Sequence, residues 1–117
     1  MSERAAALRP FPDSATVDAD GIALDGVRLT TLAEAHGTPL YVYDAATVRA
    51  RAAAVADAIA GHGRAVFALK ANSTLALLRL IAEAGIGADC ASAGEIAAAR
   101  RVGIADERIV VHGNAKS

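Results

Sequence analysis

The sequence predicts an α/β fold built on parallel strands, and three observations carry that prediction. From Arg64 onward, short apolar runs alternate with helical stretches in the order strand, helix, strand, helix, strand, which is the connectivity of a parallel sheet. Gly85 and Gly103 stand where the helices must end, and a residue without a Cβ closes a helix most readily in the left-handed conformation. Hydrophobic residues make up 54% of the chain against 21% charged, enough apolar material to exclude a disordered polypeptide.

Taken in order, residues 1 to about 38 read as an irregular prelude punctuated by Pro10 and Pro12. Within it, residues 22–29 resemble two short strands hinged at Asp25-Gly26, a dipeptide suited to a tight hairpin. Pro39-Leu40-Tyr41-Val42-Tyr43 is a strand-like run. Asp44 is placed to cap a helix whose apolar side is Val48, Ala52, Val55 and Ile59, with Gly61 and Gly63 at its end. The regular part follows: a strand over 65–69, a helix over about 74–84, a strand over 86–91, a helix over about 94–101, a turn over 105–108 and a strand over 109–112. The residues stop just past that last strand, where a further crossover helix is expected. A closed (β/α)8 barrel usually takes roughly 250 residues, so the 117 residues here read as a portion of a larger fold.

Composition narrows the function. Aromatic residues are only 3% of the chain and tryptophan is absent, which leaves no stacking platform for single-stranded nucleic acid. Twelve basic and thirteen acidic residues give a net charge of -1 with no block of one sign, so neither a polyanion nor a membrane surface is an expected partner. Small molecules and other subunits are. Cys90 is the single cysteine, which rules out an internal disulfide and fits a reducing compartment. Met1-Ser2-Glu3-Arg4-Ala5 lacks the basic-then-apolar order of a signal peptide, and no apolar run approaches the roughly 18 residues of a membrane span. A cytoplasmic protein is expected. No Cys/His spacing matches a zinc site, so no metal is assigned.

In parallel α/β folds, ligands gather at the carboxyl ends of the strands, where loops and helix N-termini meet. Three such ends carry polar groups: Lys70 after the first regular strand, Asp89 at the second and His112 at the third. Lys70 follows a wholly apolar strand and fits two descriptions. It is either a rim lysine that snorkels to solvent or a desolvated amine able to attack an aldehyde. An unpaired carboxylate at Asp89 would be costly on so apolar a strand; it either pairs with Lys70, orients a ligand, or acts as a cap or surface ion pair. Glu95 completes the capping-box pattern Ser92-Ala93-Gly94-Glu95. Cys90 should point away from Asp89, because side chains alternate along a strand, and reads as a small buried hydrophobe. His112 faces either a ligand ring or phosphate, or a loop carbonyl. His36 and His62 sit in polar turns without partner motifs.

The motifs Phe67-Ala68-Leu69-Lys70-Ala71-Asn72, Gly87-Ala88-Asp89-Cys90-Ala91-Ser92-Ala93-Gly94-Glu95 and Arg108-Ile109-Val110-Val111-His112-Gly113-Asn114-Ala115-Lys116-Ser117 occur in that order. Together they resemble the start of the fold-type III pyridoxal-phosphate-dependent decarboxylases that act on diaminopimelate, ornithine and arginine. Thr38-Pro39-Leu40-Tyr41-Val42-Tyr43-Asp44 is similar to the segment that leads into their barrel. The resemblance covers about residues 22–117. It implies the N-terminal portion of an alanine-racemase-like (β/α)8 barrel over 39–117, with residues 1–38 contributing to a β-rich second domain and active sites shared across a homodimer. By the same match, Lys70 binds pyridoxal 5'-phosphate covalently, Asp89 lies near the cofactor, and His112 and Glu95 are further candidates for the pocket.

The stretch from His112 to Ser117 is most similar to diaminopimelate decarboxylases, whose reaction yields L-lysine and carbon dioxide; ornithine- or arginine-type decarboxylation is the alternative. Alanine racemases usually follow the cofactor lysine with Tyr-Gly-His-Gly, whereas Asn72 here precedes Ser73-Thr74-Leu75. A non-catalytic pyridoxal-phosphate carrier on the same barrel is the rival from another class, but such a carrier has no need of a prelude with strand character. The family's phosphate-binding loop and its carboxyl-terminal cysteine and tyrosine motifs have no counterpart in these residues. The 117-residue chain alone is therefore expected neither to decarboxylate nor to hold the cofactor tightly, and carbon dioxide release by the purified chain would contradict that expectation.

Overall fold

A computed structural model describes residues 10–113, and the chain divides into two compact units, residues 1–47 and 48–117. The opening Met1 to Ala5 and the closing Asn114, Ala115, Lys116 and Ser117, on which part of the sequence argument rests, lie outside the described residues.

The first unit holds an antiparallel sheet of β1 (Ala15–Asp18), β2 (Gly21–Leu24) and β3 (Val27–Arg28), in that spatial order, followed by α1 (Leu29–His36). The hinge expected at Asp25-Gly26 is present: both residues have positive φ, 47° and 78°, the backbone that a tight turn between β2 and β3 requires. The prelude is more ordered than the sequence suggests. Ala15 and Val17 alternate with exposed neighbours along β1, and Leu29, Leu32 and Ala33 give α1 one half-buried side; both signals are short enough to be lost among the prolines. Arg28 grips both carboxylate oxygens of Asp18 at 2.6 Å. The residues 39–43, expected to be strand-like, form none. No strand runs beside them among the described residues, so their backbone has no ladder to join, and Tyr41 is 92% exposed.

Asp44 caps α2 (Ala45–Ile59). Its Oδ1 accepts from the Ala46 N–H at 3.1 Å, while Oδ2 accepts from the hydroxyls of Ser14 and Thr47 at 2.6 and 2.5 Å. These bonds, the Ser14 hydroxyl first and then that of Thr47, hold its carboxyl below the usual carboxylate range. A carboxyl with a lowered folded pKa contributes stability above its unfolded value of about 3.9 and loses it as pH falls through the folded value. Asp44→Asn is therefore expected to narrow the difference in stability between neutral pH and about pH 3. Urea melts at the two pH values test this, and an unchanged difference would contradict it.

In the second unit β4 (Val66–Ala68), β5 (Gly87–Cys90) and β6 (Ile109–Val111) form a parallel sheet in sequence order. The crossovers contain α3 (Leu75–Glu83) and α4 (Ala93–Arg101), and a turn of 3-10 helix, Asp106–Arg108, leads into β6. Phe67, Ala88 and Ile109 lie in one row of the register. They pack with Leu69, Leu78, Cys90, Ala99 and Ile104 in the main core, so one face of the sheet is turned to the helices. Leu78 is fully buried; Leu78→Ala is expected to lose about 2–5 kcal/mol, read from the denaturation midpoint. A second cluster joins Ala52 of α2 to Ile81 and Ile86, with Val48 and Ala56 against it. Val55, expected on that packed side, is 52% exposed, because the buried stripe follows Val48, Ala52 and Ala56 at i, i+4 spacing and leaves Val55 beside it. The opposite face of the sheet carries Val66, Ala68, Asp89 and Val110, and there Val66 and Val110 are 43% and 50% exposed. Among the described residues no helix is long and apolar enough to cross a membrane.

Candidate functional site

The ladder hydrogen bonds run one residue past the strands and anchor the site. The Leu69 N–H donates to the Asp89 carbonyl at 3.0 Å, and the His112 N–H donates to the Cys90 carbonyl at 2.9 Å. Leu69, 1% exposed, is locked in the core. Lys70 follows in a turn closed by the Ala71 N–H on the Ala68 carbonyl at 3.1 Å, which brings the lysine out to the exposed rim. The Asn72 side chain then accepts from the Thr74 N–H at 2.9 Å and turns the chain into α3.

Ala88 and Cys90 are both fully buried against the helices, so strand alternation sends Asp89 to the other face. Asp89 is level with Val110 on β6, and His112, two residues further, comes up on the same face. His112 Nδ1 lies 2.5 Å from Asp89 Oδ1, with the side chains 42% and 26% exposed. The sequence offered Lys70 as a partner for Asp89 and a loop carbonyl as one for His112. In the structure the two residues engage each other. That pairing was missed because it depends on the β5–β6 register, which periodicity does not give.

Glu95 does what the capping box requires. Its N–H donates to Ser92 Oγ at 3.2 Å, and its Oε2 accepts from the Ala91 N–H at 2.6 Å, one residue earlier than the usual cap contact. The carboxylate thereby fixes the loop that leaves β5 directly after Asp89 and Cys90. Cys90 points to the helix side, as expected, and is fully buried. Burial, then the nearby charges of Glu95 and Asp89, push its thiol up. The native protein is therefore expected to resist iodoacetamide at neutral pH and to react only after unfolding; rapid alkylation that leaves the circular dichroism unchanged would contradict this.

The carboxyl edge of the sheet thus carries an amine just past β4 and a hydrogen-bonded carboxylate–imidazole pair at the ends of β5 and β6, with the small side chain of Ala68 level with Asp89. This donor set fits a ligand that has both an aldehyde and a polar aromatic ring. Comparison with known proteins gives the same direction. Residues 45–117 match the family model described as the pyridoxal-binding domain of pyridoxal-dependent decarboxylases. The diaminopimelate decarboxylase of Actinosynnema pretiosum subsp. auranticum is 41% identical over 107 residues, covering 92% of this chain and 24% of that protein. The crystal structure of diaminopimelate decarboxylase from M. jannaschi superposes with a TM-score of 0.76 at 33% identity, over 90% of this chain and 26% of that one. The Helicobacter pylori enzyme, solved in complex with L-lysine, gives a TM-score of 0.65 at 40% identity, over 77% of this chain and 23% of its own. The chain spans about a quarter of the length of these relatives. With its family-model match covering the whole of the second unit and all three strands of the rim, the chain belongs to the pyridoxal-dependent decarboxylases.

Proposed function

We propose that this chain is the cofactor-lysine portion of an enzyme that decarboxylates meso-2,6-diaminopimelate to L-lysine and carbon dioxide. The observation that carries the reading is the rim itself: Lys70, Asp89 and His112 stand at the carboxyl ends of three neighbouring parallel strands in consecutive order. Adjacent strands lie about 4.8 Å apart, a spacing that lets one small ring meet residues from all three. The curated relatives named diaminopimelate decarboxylase and the L-lysine bound in the Helicobacter pylori structure favour diaminopimelate over ornithine or arginine as the substrate.

On this reading Lys70 holds pyridoxal phosphate through its amine, and the turn from Ala68 to Ala71 sets where that amine emerges. His112 bounds the ring side of the pocket, with Asp89 hydrogen-bonded to its Nδ1. Glu95, tied to Ala91, keeps the loop after β5 in place. When bound, pyridoxal phosphate supplies an electron sink for the pair left at the substrate Cα as carbon dioxide departs. The parallel unit would form part of a (β/α)8 barrel, the antiparallel unit part of a β-rich second domain, and the complete enzyme a cytoplasmic homodimer.

The test replaces the matching quarter of the Actinosynnema enzyme with this chain and measures carbon dioxide from labelled diaminopimelate, ornithine and arginine. Release from diaminopimelate is the expected outcome. A folded chimaera that releases none would sink the proposal, and preferential turnover of ornithine or arginine would replace diaminopimelate as the substrate.

A further inference from the structure

Within the proposed site, Asp89 and His112 are joined more closely than a shared pocket requires. The parallel register fixes Asp89 opposite Val110, and the His112 N–H is tied to the Cys90 carbonyl. The backbones on both sides of the pair are thus set by the ladder. Across that frame Nδ1 and Oδ1 stand 2.5 Å apart, a separation that only a hydrogen bond tolerates. A carboxylate can only accept, so when the ring is neutral the proton between them belongs to Nδ1. The lone pair is then left at Nε2, the ring nitrogen not committed to Asp89.

We infer that Asp89 is a positioning residue that acts through His112: it fixes the imidazole in the Nδ1–H tautomer and orients Nε2 as a hydrogen-bond acceptor toward the ligand held at Lys70. This inference rests on the proposed cofactor reading, and it assigns the direct contact to His112 rather than to Asp89. An imidazole left to water settles mainly in the other tautomer, and a neighbouring hydrogen bond decides which one a protein presents. Removal of Asp89 therefore changes what the ligand meets without removing any atom that touches it. The chemical class that suits Nε2 is a donor, such as a ring hydroxyl or a protonated amine of the cofactor–substrate pair.

The experiment uses the 117-residue chain. Nitrogen-15 NMR of the ring reads the tautomer of His112 directly, with His36 and His62 as solvent-exposed references. The wild type is expected to show the Nδ1–H form at His112 and the ordinary mixture at the other two. Asp89→Ala should return His112 to that mixture. Asp89→Asn, whose amide can donate to Nδ1, should move it to the Nε2–H form. An ordinary mixture at His112 in the wild type overturns the inference.

The second measurement is borohydride trapping of pyridoxal phosphate in the chimaera with the Actinosynnema enzyme. The chain has two lysines, Lys70 and Lys116, so Lys116 is an internal control. Asp89→Asn and His112→Gln should each raise the cofactor concentration needed for half-maximal trapping at Lys70 by about tenfold, the effect of losing one well-placed hydrogen bond. Trapping at Lys116 and the circular dichroism should not change. If both variants trap at Lys70 as well as the wild type, the inference fails and the cofactor reading stands. If the wild type does not favour Lys70 over Lys116, the cofactor reading itself fails.

Discussion

Gly87→Ala is expected to lower the stability of the second unit by about 1–3 kcal/mol or more, the range of overpacked interiors. A Cβ built on Gly87 would lie 2.3 Å from the Arg108 carbonyl oxygen and 3.2 Å from Val66 Cγ1. The first of these is backbone, so no rotamer change relieves it; β6 would have to draw away from β5 at the row next to Ala88 and Ile109. Small domains have only about 5–15 kcal/mol of stability in total, so the loss is a substantial share. The same displacement would pull His112 from Asp89 and couple the packing defect to the site. Gly63→Ala is the control, since its Cβ would meet nothing nearer than Ile59 Cδ1 at 3.8 Å; it is expected to stay within about 0.5 kcal/mol. Urea denaturation of the two variants checks both, and equal midpoints would show that the β5–β6 approach is looser than the structure has it.

Lys70→Ala has the largest expected functional effect. In the chimaera with the Actinosynnema enzyme, decarboxylation is expected to fall by a factor on the order of 10³ or more, the scale on which removal of a covalent participant is felt. Because Lys70 is exposed and lies in a turn rather than in the core, the substitution should leave the melting curve almost unchanged. Loss of activity without loss of fold is the signature to look for. Lys70→Arg separates charge from nucleophilicity: the guanidinium keeps the positive charge but does not deprotonate in proteins. It is expected to be as inactive as alanine. Activity retained by Lys70→Arg would mean that the rim cation serves only as a charge.

Much of the parallel unit was legible in the sequence because its signals are local. The apolar runs around Phe67, Ala88 and Val110 and the Ser92–Glu95 box place every strand and helix from residue 64 onward within one or two residues. The antiparallel unit was read only in part. The Asp25-Gly26 hinge depends on backbone conformation and could be recognised, whereas β1 and α1 are four and eight residues long and owe their order to neighbours that no periodicity reveals. Pro39 to Tyr43 shows the converse: strand-forming side chains make no strand without a ladder partner. At the proposed site, the position of Lys70 just past the end of its strand and the direction of Cys90 were legible from the apolar run and from alternation. The Asp89–His112 bond lies in the register between two strands 23 residues apart in sequence, a tertiary fact that composition and spacing do not encode.

The central claim is that Lys70 is the residue that takes the cofactor. Incubation of the chimaera with pyridoxal phosphate, reduction with borohydride and peptide mapping by mass spectrometry test it most directly, because Lys116 and the amino terminus compete in the same tube. The expected result is a reduced cofactor adduct concentrated on the peptide that contains Lys70. An adduct spread evenly over Lys70, Lys116 and the amino terminus would contradict the claim and leave Lys70 an ordinary rim lysine.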